Sequence, residues 1–441
     1  MAENGEYRMI LKINNFAKIK EAEIILDGIT VIAGYNDTGK STIGKVLYSI
    51  FNSLHSIDRK ISFKRKHDIK NICTEIINGV CRDPFEDELA ADFDRWLNLS
   101  ANDELAQKIL KFDGELSVED FRSLIIDELD MKDASSVDDY LESSYSRISA
   151  IKNMPDRVLY KEVVERFFSN VFLAQMNNCY DPDSKASVTA TIKEKDVNLV
   201  FTGNKCVDID MPIKIIHEAY FIDDPFILDD VNIRTMGNSG SSLRNQMIRK
   251  ITSPQRDIMD GIFDAVISKE SLEDIYHVLN KVVNGVVRNS KSGMELVTAG
   301  HEEPISVVNL SAGLKGFIII KTLLERGIIK ESDILILDEP EIHMHTQWQL
   351  IYAEIIVLLQ KYFHLTILVT THSSHFLQAI EYFSKKYELQ SKCNYYLSKK
   401  EENGVIFNNV TEDTNRIYLQ MVEPSIALDR LNEELEYDNE Q

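Results

Sequence analysis

Apolar and polar residues alternate from the ninth position onward: Met9, Leu11 and Ile13, then Ile19, Ala22, Ile24 and Ile25, as in paired strands. They lead into a strand-like run, Gly28–Ala33. The period then changes, and Ile43, Val46, Leu47, Ile50, Phe51 and Leu54 recur at helical spacing. A long polar region runs from Ser56 to about Asp210, rich in Asp and Glu over Asp83–Ser144. It reads as several amphipathic helices, of which Tyr160–Met176 is the clearest. Strand patterns return at Val188–Ile192, Val197–Thr202 and Lys214–Ile222. A helical stretch spans Ser241–Val287, followed by strand-like Met294–Ala299 and Ile305–Leu310. From Leu310 to Thr371 the order is helix, buried strand, helix, buried strand, the strands being Ile334–Leu337 and Thr366–Thr370. Four consecutive apolar residues in Ile334–Leu337 suit a strand covered on both faces of a parallel sheet. The expected fold is therefore α/β, a parallel core split by a large, mainly helical insertion. The expected divisions are 1–55 and 291–441 as the two parts of the core, 56–210 as the insertion, 211–240 as a returning strand and 241–290 as a helical arm.

Composition narrows the setting. A chain of 441 residues, 44% of them hydrophobic, can bury a large core in two or three lobes. It holds no apolar run of about eighteen residues, and its start, MAENGEYR, lacks the apolar centre of a signal peptide, so no membrane partner and a cytoplasmic address are expected. Cys73, Cys81, Cys179, Cys206 and Cys393 are scattered without a close pair, which predicts reduced thiols. A net charge of −22 disfavours broad wrapping of nucleic acid. Local contact stays open at two basic stretches, Arg59–Lys70 with its internal Phe63, and Arg244–Arg256; both also read as solvated helix faces. The acidic tail Leu428–Gln441 is expected to fray.

Chemistry enters at Gly34–Ser41, GYNDTGKS, between the strand run and the helical one. Glycines let a backbone wrap closely around a phosphate, a helix N-terminus faces the anion, and a lysine reaches the β and γ oxygens. Gly34, Asn36, Gly39, Lys40, Ser41 and Thr42 are the candidate residues for ATP, with Ser41 placed to ligate Mg²⁺. The run Ile334–Leu337 ends in Asp338-Glu339. Asp338 is a candidate for holding Mg²⁺ and Glu339 for general base; an acidic turn before Pro340 is the plainer alternative.

Asn309–Gly316, NLSAGLKG, opens a helical run and resembles the LSGGQ signature of ABC-type ATPases, specifically the soluble SMC/RecF-like branch. Ala312 replaces the second-position glycine, and Leu314-Lys315 replace the glutamine. The resemblance implies a homodimer, or higher homo-oligomer, built as a head-to-tail sandwich, with Ser311 and Gly313 contacting the γ-phosphate bound by the partner. It also makes His372, after Thr366–Thr370, the residue that senses the γ-phosphate. Pro340–His345, PEIHMH, resembles the DEPExHLHP run of overcoming-lysogenisation-defect and RecF-like ATPases, with Met344 for Leu and Thr346 for Pro. That likeness makes His343 and His345 interface or packing groups, where spacing alone suggests a metal pair. The Mg²⁺-contacting glutamine of the family has no secure match; Gln175 is a weak candidate.

The chain further resembles bacterial anti-phage ATPases of the Septu, retron-associated and PARIS systems, which implies a sensor that gates a nuclease effector encoded nearby. Its own cutting activity is not expected, since about seventy residues follow His372. A RecF-like DNA-repair ATPase is the alternative. A transporter motor fits poorly, because the stretch between Ser41 and Ser311 is far longer than in those compact domains.

Overall fold

The computed structural model describes residues 8–80, 102–129, 135–232, 243–252, 269–290, 293–298 and 300–439. Cys81, Arg256, Ala299 and much of Asp83–Ser144 and Ser241–Val287 lie outside them. Two compact units are present: Ser56–Glu162, and Met1–His55 together with Val163–Gln441.

The larger unit is built on one sheet of eleven strands. In chain order they are β1 (Met9–Phe16), β2 (Ile19–Leu26), β3 (Ile29–Ala33), β4 (Ala186–Ile192), β5 (Lys195–Thr202), β6 (Lys205–Asp210) and β7 (Ala219–Ile222). Later in the chain come β11 (Ile334–Asp338), β12 (Thr366–Thr371), β13 (Cys393–Glu401) and β14 (Gly404–Asn409). A separate three-stranded sheet holds β8 (Val286–Ser290), β9 (Gly293–Val297) and β10 (Ile305–Ser306). The large sheet runs β6-β5-β4-β1-β2-β14-β13-β3-β12-β11-β7. Its first half is an antiparallel wing and its second half, from β13 to β7, is parallel.

Strand β11 shows why the core forms. Leu335 and Leu337 join a large cluster with Val31, Ala33, Ile367, Val369, Phe317 and Tyr352 on one face. On the other face Gly44 of the helix Lys40–Leu54 comes so close that an added Cβ would lie 2.8 Å from Ile336. Helices therefore cover both faces of a parallel sheet, and every side chain from Ile334 to Leu337 is buried.

Within the span 56–210 the helical unit ends at Glu162, whereas Ala186–Asp210 forms the β4-β5-β6 edge of the large sheet. The helical unit has its own core, in which Ile69, Ile72, Ile76, Leu105, Ile109, Phe121 and Ile148 pack together. The hairpin β13–β14, for which the sequence pattern set no expectation, enters the centre of the sheet between β3 and β2, and the tail from Leu428 continues the helix Asn415–Asn439. Ile305–Leu310, expected as one strand, is a two-residue strand followed by a turn of 3-10 helix, Val307–Asn309.

Candidate functional site

Parallel register assembles the site. Leu337 of β11 pairs with Ile222 of β7, which sets Asp338 beside Asp223. Asp338 itself pairs with Thr370 of β12, and Thr371 pairs with Ala33 of β3, which brings His372 next to Gly34. Four strands thus deliver their C-terminal ends to one rim, where ligands of open α/β sheets bind.

The phosphate loop leaves β3 at Gly34, whose φ is +147°. A Cβ there would meet Ser398 Oγ at 1.9 Å, so the close approach of β13 demands glycine. Ser398 also lies 2.6 Å from Thr38 Oγ1 and donates to Ala33 O at 3.2 Å, which makes it a support for the loop. Nothing near Gly34 in the sequence hints at this residue from a late hairpin. Gly39 caps the helix Lys40–Leu54 with no side-chain hydrogen bond to its first N–H groups, an arrangement that suits an anion. Ser41 and Thr42 sit half-buried in that first turn, and Asn36 is exposed on the loop.

Lys40, Glu339 and His372 converge. The Lys40 ammonium is 4% exposed and donates to Gly34 O at 3.2 Å and Tyr35 O at 2.9 Å. It also lies 2.8 Å from His372 Nε2 and 3.7 Å from Glu339 Oε1. Burial lowers the Lys40 pKa, against the pull of Glu339 and Asp338. His372 Nε2 is in turn 2.7 Å from Glu339 Oε1, and this contact, more than any other, holds the Glu339 carboxyl below its ordinary range. One nitrogen serves two neighbours: as a lone pair it accepts from Lys40, as an N–H it donates to Glu339. Glu339 occupies a left-handed backbone conformation, φ +51°, held by its own N–H donating to Thr370 Oγ1 at 3.0 Å. Thr370 Oγ1 donates to Asp338 Oδ1 at 2.6 Å.

Hard oxygen donors from Ser41 and Asp338 suit Mg²⁺, which keeps water and substrate oxygens in its shell and needs few protein ligands. Among the described residues no group of three or more His, Cys, Asp or Glu has metal-holding geometry, His343 and His345 included. His345 Nδ1 instead accepts from Gln347 N at 3.3 Å and caps the helix Thr346–Phe363, while His343 stacks edge-on against Phe226 with centroids 5.6 Å apart. Gln175 lies exposed just after the helix Asp156–Phe172 and is not on the strand beside β11. That strand ends instead in Asp223, whose carboxyl is raised first by burial and then by Asp338.

Ser311 and Gly313 belong to a second cluster. Ser311 is exposed and caps the helix Ala312–Glu325, its hydroxyl accepting from Leu314 N at 3.4 Å. A Cβ on Gly313 would lie 2.7 Å from His343 O, so the loop after Asp338 packs directly on the signature turn. A cavity of about 50 Å³ between them is lined by Asp223, Gly313, Asp338, Pro340 and His343.

The basic stretches are largely neutralised. On the helix Ile57–Val80, Lys66 and Lys70 pair with Asp103 at 2.9 and 3.3 Å, and Arg65 pairs with Asp156 at 2.9 Å. Arg244 bridges Asp224 and Asp230, each at 2.5 Å. Cys73, Cys179, Cys206 and Cys393 are free thiols. No helix among the described residues is long and apolar enough to cross a membrane.

Residues 229–377 match the family model described as an AAA ATPase domain. No curated protein matches the chain. Among solved structures, an Smc head bound to the C-winged helix domain of ScpA is 12% identical, with a TM-score of 0.40, over 93% of this chain and 99% of that one. The SMC head domain from Thermotoga maritima is 11% identical, with a TM-score of 0.36, over 92% and 99%. A Pyrococcus furiosus Smc head with an extended coiled coil, bound to the C-terminal domain of ScpA, is 12% identical, with a TM-score of 0.33, over 95% and 99%. The matched stretch 229–377 contains the turn at Ser311–Gly313, β11 and the His372 segment, and lies in the same mixed α/β unit as the glycine-rich loop after β3.

Proposed function

We propose that this chain binds and hydrolyses ATP as an ABC-type ATPase, completing each site with the signature turn of a second copy. The observation that carries the reading is the convergence of Lys40, Glu339 and His372 at the C-terminal rim of the parallel strands. Lys40 and the open N–H groups after Gly39 bind the phosphates. The Mg²⁺ would be held by Ser41 and Asp338, and it supplies neutralisation of phosphate charge. His372 leaves Glu339 for the γ-phosphate, which removes the interaction that most depresses the Glu339 carboxyl and frees its oxygen to take a proton from the attacking water. Ser311 stands exposed at a capped helix start, engaged only within its own turn, which suits approach to a partner's γ-phosphate.

The decisive experiment compares the parent chain with Glu339→Gln. The variant should bind ATP normally, turn over roughly a hundredfold or more slowly, and accumulate nucleotide-dependent dimers. Equal turnover would remove Glu339 from the chemistry, and loss of binding would give it another role.

The wider role we propose is a cytoplasmic sensor in anti-phage defence: ATP holds the assembly, the assembly restrains a nuclease effector encoded nearby, and a phage signal shifts the equilibrium. Its support is the overall likeness of the sequence to the anti-phage ATPases named above. Phage plating on cells carrying the chain with its neighbouring nuclease gene tests it. Protection that survives Lys40→Ala would refute ATP-dependent gating.

A further inference from the structure

Glu341 follows Glu339, the proposed base, by two positions, yet its surroundings are different. It is 4% exposed, and burial raises its carboxyl above the ordinary range. One oxygen, Oε1, accepts from the Thr371 hydroxyl and from the His372 backbone N–H, the latter at 2.9 Å. The other, Oε2, is buried with no hydrogen-bond partner. A buried orphan oxygen is costly, so packing alone gives no reason for a carboxylate here.

The bonds continue in a ring. Thr371 Oγ1 accepts from Ser373 N at 3.0 Å, and Ser373 Oγ donates to Gln349 Oε1 at 2.9 Å. Gln349 Nε2 then donates to Met344 O at 3.2 Å, in the same loop that carries Glu341. We propose that Glu341 is a positioning residue for ATP hydrolysis, tying the segment Thr371–Ser373 to the loop of residues 340–345 so that the His372 ring is held between Lys40 and Glu339. The inference rests on the hydrolytic reading of this site. The loop it ties down also packs on the turn at Gly313 through His343 O. Removing the acceptor leaves the His372 N–H buried and unpaired, and a displacement of about 1 Å at a reacting group costs up to about a hundredfold in rate.

The test measures kcat, KM and nucleotide affinity for the full chain and for Glu341→Gln, Glu341→Ala and Thr371→Val. Glutamine keeps an acceptor oxygen and should hold kcat within about threefold of the parent. Alanine should lower kcat about tenfold or more while nucleotide affinity stays within about threefold. The valine variant preserves shape, breaks the ring, and should lose kcat to an intermediate degree. Parent-like turnover of Glu341→Ala overturns the proposal, as does a glutamine variant as slow as the alanine one, which would make charge the requirement. Loss of affinity in proportion to kcat overturns it too, because the defect would then lie in the phosphate loop. If the alanine variant does not fold, parent-like kcat in Thr371→Val is decisive against it. A parent chain that hydrolyses no ATP refutes the functional reading itself, whereas normal parent turnover with an unaffected alanine variant refutes only this role.

Discussion

Lys40 and Lys315 are two buried lysines at the starts of two helices on the same fold, and their wiring is opposite. Lys40, 4% exposed, is held by loop carbonyls and by two side chains that each have another partner. Burial lowers its pKa, so its charge is carried at a cost. Lys315, 1% exposed, is fully claimed: Asp229 at 2.7 Å, Val308 O at 3.0 Å and the Phe226 ring at 5.0 Å. Lys40 thus has a desolvated ammonium shared among weakly committed partners, which suits the anion binding proposed above, whereas Lys315 fastens Asp229 and Val308 O to the start of its helix. A lysine's burial therefore says little about its role until its partners are counted.

The comparison breaks most sharply at Lys40. Lys40→Met should abolish hydrolysis and most ATP affinity while leaving the melting temperature unchanged or raised, because an apolar side chain relieves the desolvation of the ammonium. Turnover at the parent rate would remove the phosphate-loop assignment, and a large drop in melting temperature would make Lys40 a strut like Lys315.

Ser311→Arg tests whether the second region acts in trans. It should preserve ATP binding by the monomer and eliminate hydrolysis and ATP-driven association. Mixed with Lys40→Ala chains, it should regain partial activity from one intact composite site per dimer. Robust activity from a strictly monomeric protein would rule out the sandwich.

Lys315→Met should leave monomer nucleotide affinity intact but destabilise the fold by about 2 kcal/mol, since it strands Asp229 beside a buried helix end. An unchanged melting temperature would cancel its structural role. The smallest expected effect is on acid stability. Because the folded Glu339 carboxyl titrates below its ordinary value, its stabilisation is fully present above about pH 4.3 and is lost as pH falls through the lowered folded value. Denaturation midpoints of Glu339→Gln should therefore fall less steeply below that pH than those of the parent; identical profiles would refute the His372 pairing.

Patterns with local causes were readable in the chain. Gly34, Gly39, Lys40 and Ser41 lie in eight consecutive residues, and the strand before them and helix after them follow from period alone. Ile334–Asp338 reads as a doubly covered strand because burial on both faces leaves no polar position. Asp223, Ser398 and Glu341 were not legible. Asp223 gains meaning only when β7 pairs in register with β11, Ser398 only when a hairpin more than three hundred residues later slides beside β3, and Glu341 only when β12 delivers the His372 N–H to it.

The sequence by itself determined many of the elements, among them the strand–glycine loop–helix at Ile29–Leu54 and the strand ending in Asp338, because turn chemistry and periodicity act over a few residues. Tertiary structure decided which carboxylate meets which cation. Strand order and register are set by how eleven strands share one core, and no short-range signal specifies that Lys40, His372 and Glu339 meet within 4 Å.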